Sequence, residues 1–158
     1  MTQEEKQFLL VDLCARLPYG VIVDYKENEF EFPHWKITTV YPETLDGWIG
    51  YDKRVGAGSE SGSRPFKIGE VKPYLRLMSS MTEEEKKEFL FATDGELRYS
   101  EVFDVIKPIH GSEDYCASFV SYLKAIDWLN THHFDYRGLI EKGFAIEAPE
   151  GMYNTKIK

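Results

Sequence analysis

In His34-Trp-Lys-Ile-Thr-Thr-Val-Tyr41 every second side chain is bulky, with Trp35, Ile37, Thr39 and Tyr41 on one side. A period of two is that of a strand with one buried face. Neighbouring segments read the same way. Gly20-Val-Ile-Val-Asp-Tyr25 is short and β-branched, and Asp46-Gly47 is a turn signal leading into Trp48-Ile-Gly-Tyr51. Pro65-Phe-Lys-Ile-Gly-Glu-Val71 offers one more short strand or two. Short strands joined by tight turns predict a small antiparallel sheet, partly barrel-like in its curl.

On either side of the strands the pattern turns helical. Thr2 and Glu5 form a capping box, and Leu9, Leu10, Leu13, Cys14 and Leu17 follow at helical spacing until Pro18 stops the run. Thr82 and Glu85 repeat the device, and that helix runs through Phe89, Leu90 and Phe91 to the Asp94-Gly95 break. A short amphipathic piece spans Ser100 to Lys107. The longest helix starts at Gly111-Ser112, with Glu113 and Asp114 in its first turn and Phe119, Leu123 and Ile126 as its apolar stripe, flanked by Tyr115, Tyr122 and Leu129. The tail from Ala145 is punctuated by Pro and Gly and reads as loose at its end. The expectation is an α+β protein: residues 1–78 as a helix on an antiparallel sheet, and 79–158 as a helical half within one compact unit.

The chain has 158 residues, enough for a core without covalent staples. Nineteen Lys and Arg stand against twenty-seven Asp and Glu, giving a net charge of −8, and no Lys/Arg-dense run interrupts it. A surface that neutralises phosphates is basic, so the balance speaks against nucleic acid as a partner and for a basic protein face. Aromatic residues make up 15% of the chain, a composition that suits binding surfaces as well as strands. Cys14 sits on an apolar helix face, where a small buried thiol is the expectation, and Cys116 falls in another predicted helix. The acidic start Met-Thr-Gln-Glu-Glu-Lys is unlike a signal peptide, and no apolar run approaches a membrane span, so the cytoplasm is the expected compartment.

One window concentrates polar chemistry: Asp127-Trp-Leu-Asn-Thr-His-His-Phe-Asp-Tyr-Arg-Gly-Leu-Ile-Glu-Lys-Gly143. As structure, it reads as a helix end followed by a short capped helix. Asp135 is its N-cap, Phe134 and Leu139 form a hydrophobic staple, and Gly143 with Phe144 forms a Schellman end. As a site, it is weak for metal. Side chains one apart diverge by about 100° on a helix and about 180° on a strand, so His132 and His133 make poor joint ligands. A metal site would need one of them with Asp135 and a distant group such as His110 or His34, and a small enzyme would use one of them with Asp135 or His110. A DNA-binding helix-turn-helix would have only Tyr136, Arg137 and Lys142 as readers on a second helix of barely two turns.

Nucleotide binding is disfavoured too. Val55-Gly-Ala-Gly-Ser-Glu-Ser-Gly-Ser-Arg64 lacks the Lys-Ser/Thr pair of a phosphate loop and reads as a flexible hairpin loop. Cys116 and His110 flank a helix start with no oxyanion loop, and no G-x-S-x-G elbow occurs. No catalytic set, metal set or cofactor is therefore assigned, and the reading leans away from an enzyme. Trp128, His132, His133, Tyr136 and Arg137 remain as candidate binding residues, with capping of helix carbonyls as the alternative role for the histidines.

Lys72-Pro-Tyr-Leu-Arg76, Ser79-Ser-Met-Thr-Glu-Glu-Glu85 and the block from Asp127 to Gly151 together resemble a family of small uncharacterised proteins of gut Bacteroidetes, phages and mobile elements. The likeness covers most of the second half. The strand region is much less similar, and Leu77 stands where the family pattern has proline. The resemblance implies a bacterial or phage-encoded accessory protein and carries no activity with it. The expected function is a non-enzymatic module acting on a protein partner. The alternatives are a small enzyme built on His132, His133 and Asp135, and a nucleic-acid-associated accessory protein.

Overall fold

A computed structural model of the chain describes residues 1–25, 34–41, 48–54, 64–102, 104–109 and 117–153. The Asp46-Gly47 turn, the Gly/Ser loop over 55–63, His110, the 111–114 helix start and Cys116 lie outside the described residues. The architecture is α+β, in two compact units: Met1–Leu75 with Arg137–Lys158, and Arg76–Tyr136.

In the first unit, helix α1 (Gln3–Arg16) starts at the predicted capping box, Thr2 Oγ1 accepting from the Glu5 N–H at 3.2 Å. Its buried face differs from the expected one. Leu9 and Leu13 are fully buried, but the other buried positions are Asp12 and Arg16, and Cys14 is exposed. The face is rotated because Arg16 and Asp12 pair one turn apart, Nε to Oδ2 at 2.8 Å, and the pair enters the interior as a unit. Leu9 and Leu13 each contribute about 1.5–3 kcal/mol by burial.

The strands are β1 (Ile22–Tyr25), β2 (Trp35–Tyr41), β3 (Trp48–Arg54), β4 (Arg64–Lys67) and β5 (Val71–Leu75). They pair antiparallel in the order β4-β3-β2-β1-β5, and β8 (Ile146–Glu147) adds a parallel partner to β5. The sheet ends at β4 and β8 and is not closed into a barrel. Trp35 and Ile37 are buried as their alternation predicts, with Leu9, Leu13, Val23, Tyr25 and Phe66 in one core cluster.

The end of the tail, 154–158, lies outside the described residues, and the part before it is anchored. Tyr153 ties two strands at once, its phenol oxygen accepting from the Ile22 N–H at 3.0 Å while its hydroxyl donates to the Tyr74 carbonyl at 2.9 Å. Burial pushes this phenol well above its ordinary pKa. These long-range hydrogen bonds anchor the described part of the tail to the sheet.

The second unit contains α2 (Glu83–Ala92), β6 (Leu97–Ser100), β7 (Val105–Pro108) and α3 (Phe119–Thr131). The expected amphipathic piece at 100–107 is instead a two-stranded antiparallel hairpin, β6 with β7, so this half is not purely helical. Thr93 explains where it begins: its hydroxyl lies within reach of the Phe89, Leu90 and Leu97 carbonyls and binds the end of α2 to the first strand. α3 begins later than expected, at the Ser118 N-cap, whose hydroxyl accepts from the Ser121 N–H at 3.1 Å.

Candidate functional site

The residues from Asp127 onward form the end of α3 and a turn, not a pair of helices. The Phe134 N–H reaches the Leu129 carbonyl at 3.0 Å and the His133 N–H reaches Asn130 at 3.2 Å. Those two bonds define a Schellman end with His133 in the left-handed position, at φ 58°. Phe134 and Leu129, the apolar contact of that motif, lie in one core cluster. His133 is thus a helix terminator, and its ring is buried.

His132 closes the same end. Its Nδ1 lies 2.8 Å from the Trp128 carbonyl, which can only accept, so Nδ1 carries the hydrogen and Nε2 is left toward Glu88 at 4.0 Å. The imidazole also stacks on the Trp128 indole, centroids 3.9 Å apart and planes 21° from parallel. Trp128 continues into the core through Phe89 and Phe134. The Tyr136 hydroxyl donates to Asn130 Oδ1 at 3.1 Å. These four candidates are structural parts of the second unit.

Arg137 belongs to the first unit, where its Nε lies 3.3 Å from Asp12 Oδ1. Asp12 therefore serves two guanidiniums, Arg16 and Arg137. Four of the five candidate residues thus belong to the second unit and Arg137 to the first. Asp135 is no helix N-cap either, because residues 136–142 form turns, broken by Gly138 at φ 67°. The second helix of the helix-turn-helix comparison is absent. Phe134 and Leu139 belong to separate core clusters. The Schellman end is made: the Gly143 N–H meets Ile140 and the Phe144 N–H meets Leu139, each at 2.9 Å.

The other block that drew notice in the sequence, Lys72 to Glu85, supplies the anchor of the second unit. Arg76 holds Glu85 with two hydrogen bonds, 2.6 and 2.9 Å, and its guanidinium lies 4.2 Å over the Phe134 ring. Backbone bonds from the Arg76 N–H to His133 and from the Asp135 N–H to Arg76 hold the same two segments together. Glu85 also closes the capping box of α2, accepting from the Thr82 N–H at 2.9 Å. Burial opposes its ionisation, but the Arg76 and Thr82 hydrogen bonds and the Arg76 charge outweigh that and hold its pKa below the ordinary range.

What the unit does not use internally is an apolar face. The stripe expected to be core points the other way: Phe119 is 76% exposed, Val120 55%, Leu123 50% and Ile126 41%. The buried ridge of α3 is made by Ser121, Ala125 and Leu129, with Tyr122 and Trp128 partly buried beside them, and Asn130 is buried in the last turn. On a helix of 100° per residue the exposed four lie opposite that ridge. Phe91 of α2 (87% exposed) and Val102 at the hairpin tip (85%) are further large apolar side chains in solvent. The Tyr99 hydroxyl donates to Asp104 at 2.6 Å near that tip, and burial, then the Asp104 carboxylate, push its pKa up to about 12.

The four outward side chains of α3 expose on the order of 400 Å² of apolar surface, a patch size that on a monomer is often functional. Residue spacing had revealed the stripe at 119, 123 and 126. The missed signal was the run of small residues at Ala117, Ser121 and Ala125, which lets α3 lie close against its neighbours.

Among the described residues no three His, Cys, Asp or Glu side chains gather as metal ligands, and no helix is long and apolar enough to cross a membrane. No family profile, curated protein or solved structure matches the chain.

Proposed function

We propose that this chain is a non-enzymatic binding module that docks a protein partner through the outward face of α3. The observation that carries the reading is the exposure of Phe119, Val120, Leu123 and Ile126 on one side of one helix. Leaving such a patch in water forgoes burial of about 25 cal/mol per Å², a cost that a partner removes by covering it. The histidine window supports the reading indirectly, since the His132 Nδ1 and the backbone of His133 are engaged in ending α3. The resemblance to small phage and mobile-element proteins supports a bacterial accessory role in the cytoplasm.

The test is a photo-crosslinking residue placed at position 123, with a second at exposed Val11 of α1 as control. The reading expects a discrete protein adduct from position 123 and none from position 11. Adducts of equal yield from both positions, or from neither, would contradict it.

A further inference from the structure

Charge and area around α3 narrow the kind of partner, on the reading that its outward face is the docking surface. Phe119, Leu123 and Ile126 are spaced at i, i+4 and i+7, the seam into which the side chains of another helix interdigitate. The surface is small. About 400 Å² is half of the ~800 Å² per partner in a standard interface, which suits one added helix better than a broad dimer contact.

The surroundings are acidic. Residues 76–136 hold twelve acidic and six basic side chains, so this unit carries six of the eight net negative charges. On α3 itself Lys124 is drawn aside to Asp94 at 2.6 Å, and exposed Asp127 borders the apolar four, one turn from Leu123. Beyond Asp94 the end of α2 opens into a cleft of about 680 Å³ lined by Leu90, Phe91, Lys87 and Gly95, and no basic residue occupies the last turn of that helix. The negative end of the helix dipole faces the same region. Two copies of this unit would meet with like charge.

We propose that the occupant is a basic amphipathic helix of another protein. Its apolar side covers Phe119, Val120, Leu123 and Ile126, and its Lys or Arg side chains face Asp127 and the acidic surround.

The experiment uses the full chain and three fluorescent peptides: a helical-period leucine/lysine peptide, a leucine/glutamate peptide of the same pattern, and a leucine/lysine peptide of scrambled order. The first is expected to bind, with affinity falling as salt rises. Leu123→Glu and Phe119→Glu each weaken it about tenfold or more, and Val11→Glu leaves it unchanged. Equal binding of the glutamate peptide, lost in Leu123→Glu, would overturn the basic partner while leaving the docking face standing. Binding of the scrambled peptide unaffected by Leu123→Glu, or no binding of any peptide, would overturn both. A wild-type dimer in sedimentation that Leu123→Glu dissolves would assign the face to a second copy and overturn the proposal.

Discussion

The two units treat charge and apolar surface in opposite ways. The first buries an ionic cluster, with Asp12 and Arg16 fully inside and Arg137 against them, and among its residues of described burial the large exposed apolar side chains are Met1 and Val11. The second keeps Phe91, Val102, Val105, Phe119, Val120, Leu123 and Ile126 in water and spends its polar window on ending a helix. Burying charges costs desolvation that neutral packing avoids, and exposing apolar groups forgoes burial. The first departure from the usual partition is satisfied inside its unit. The second is not, which is why the functional reading rests there.

The contrast breaks most readily at the buried charges. Asp12→Ala leaves Arg16 buried without its carboxylate and is expected to cost about 3–5 kcal/mol in denaturant unfolding. Replacing the two fully buried members together, Asp12→Leu with Arg16→Met, should recover much of that loss; no recovery would mean that the loss does not come from an unpaired Arg16. Phe134→Ala removes the ring between Arg76 and Trp128 and should cost about 3–5 kcal/mol, read by the same method.

Glu85→Gln has a smaller effect, about 1–2 kcal/mol at neutral pH, and it changes the acid response. The folded pKa of Glu85 is depressed, so its contribution is present above the unfolded value of about 4.3 and is lost as pH falls through the folded value. Wild type should therefore lose stability below about pH 4 more steeply than Glu85→Gln, and parallel acid titrations would remove Glu85 from the account. His132→Ala deletes one capping bond and one stacked ring and should cost about 1 kcal/mol without affecting peptide binding. A binding defect in a stably folded His132→Ala protein would return the histidine window to function.

Much of this was readable from the sequence where the signals were local. The two capping boxes, the alternation at Trp35 and Ile37 and the Schellman end at Gly143 each rest on a few neighbouring residues whose chemistry leaves little choice. The failures had more than one cause. Spacing found the stripe Phe119-Leu123-Ile126, but periodicity cannot say which side of an amphipathic helix meets the core, and the small ridge of Ser121 and Ala125 won. Strand β8 depends on β5, a partner far along the chain, whereas the hairpin at 97–108 is a local pairing that apolar spacing alone reads as one amphipathic piece. Apolar spacing carries no sign that Asp12 and Arg16 are buried, because a lone charge is seldom buried; the pairing permits it.

The smallest stability effect is the most direct test. In equilibrium denaturant unfolding, Leu123→Glu should leave the midpoint within about 0.5 kcal/mol of wild type, because the side chain it replaces already faces water. A loss of about 3 kcal/mol or more would show that Leu123 lies in the core, and the docking face with it would be gone.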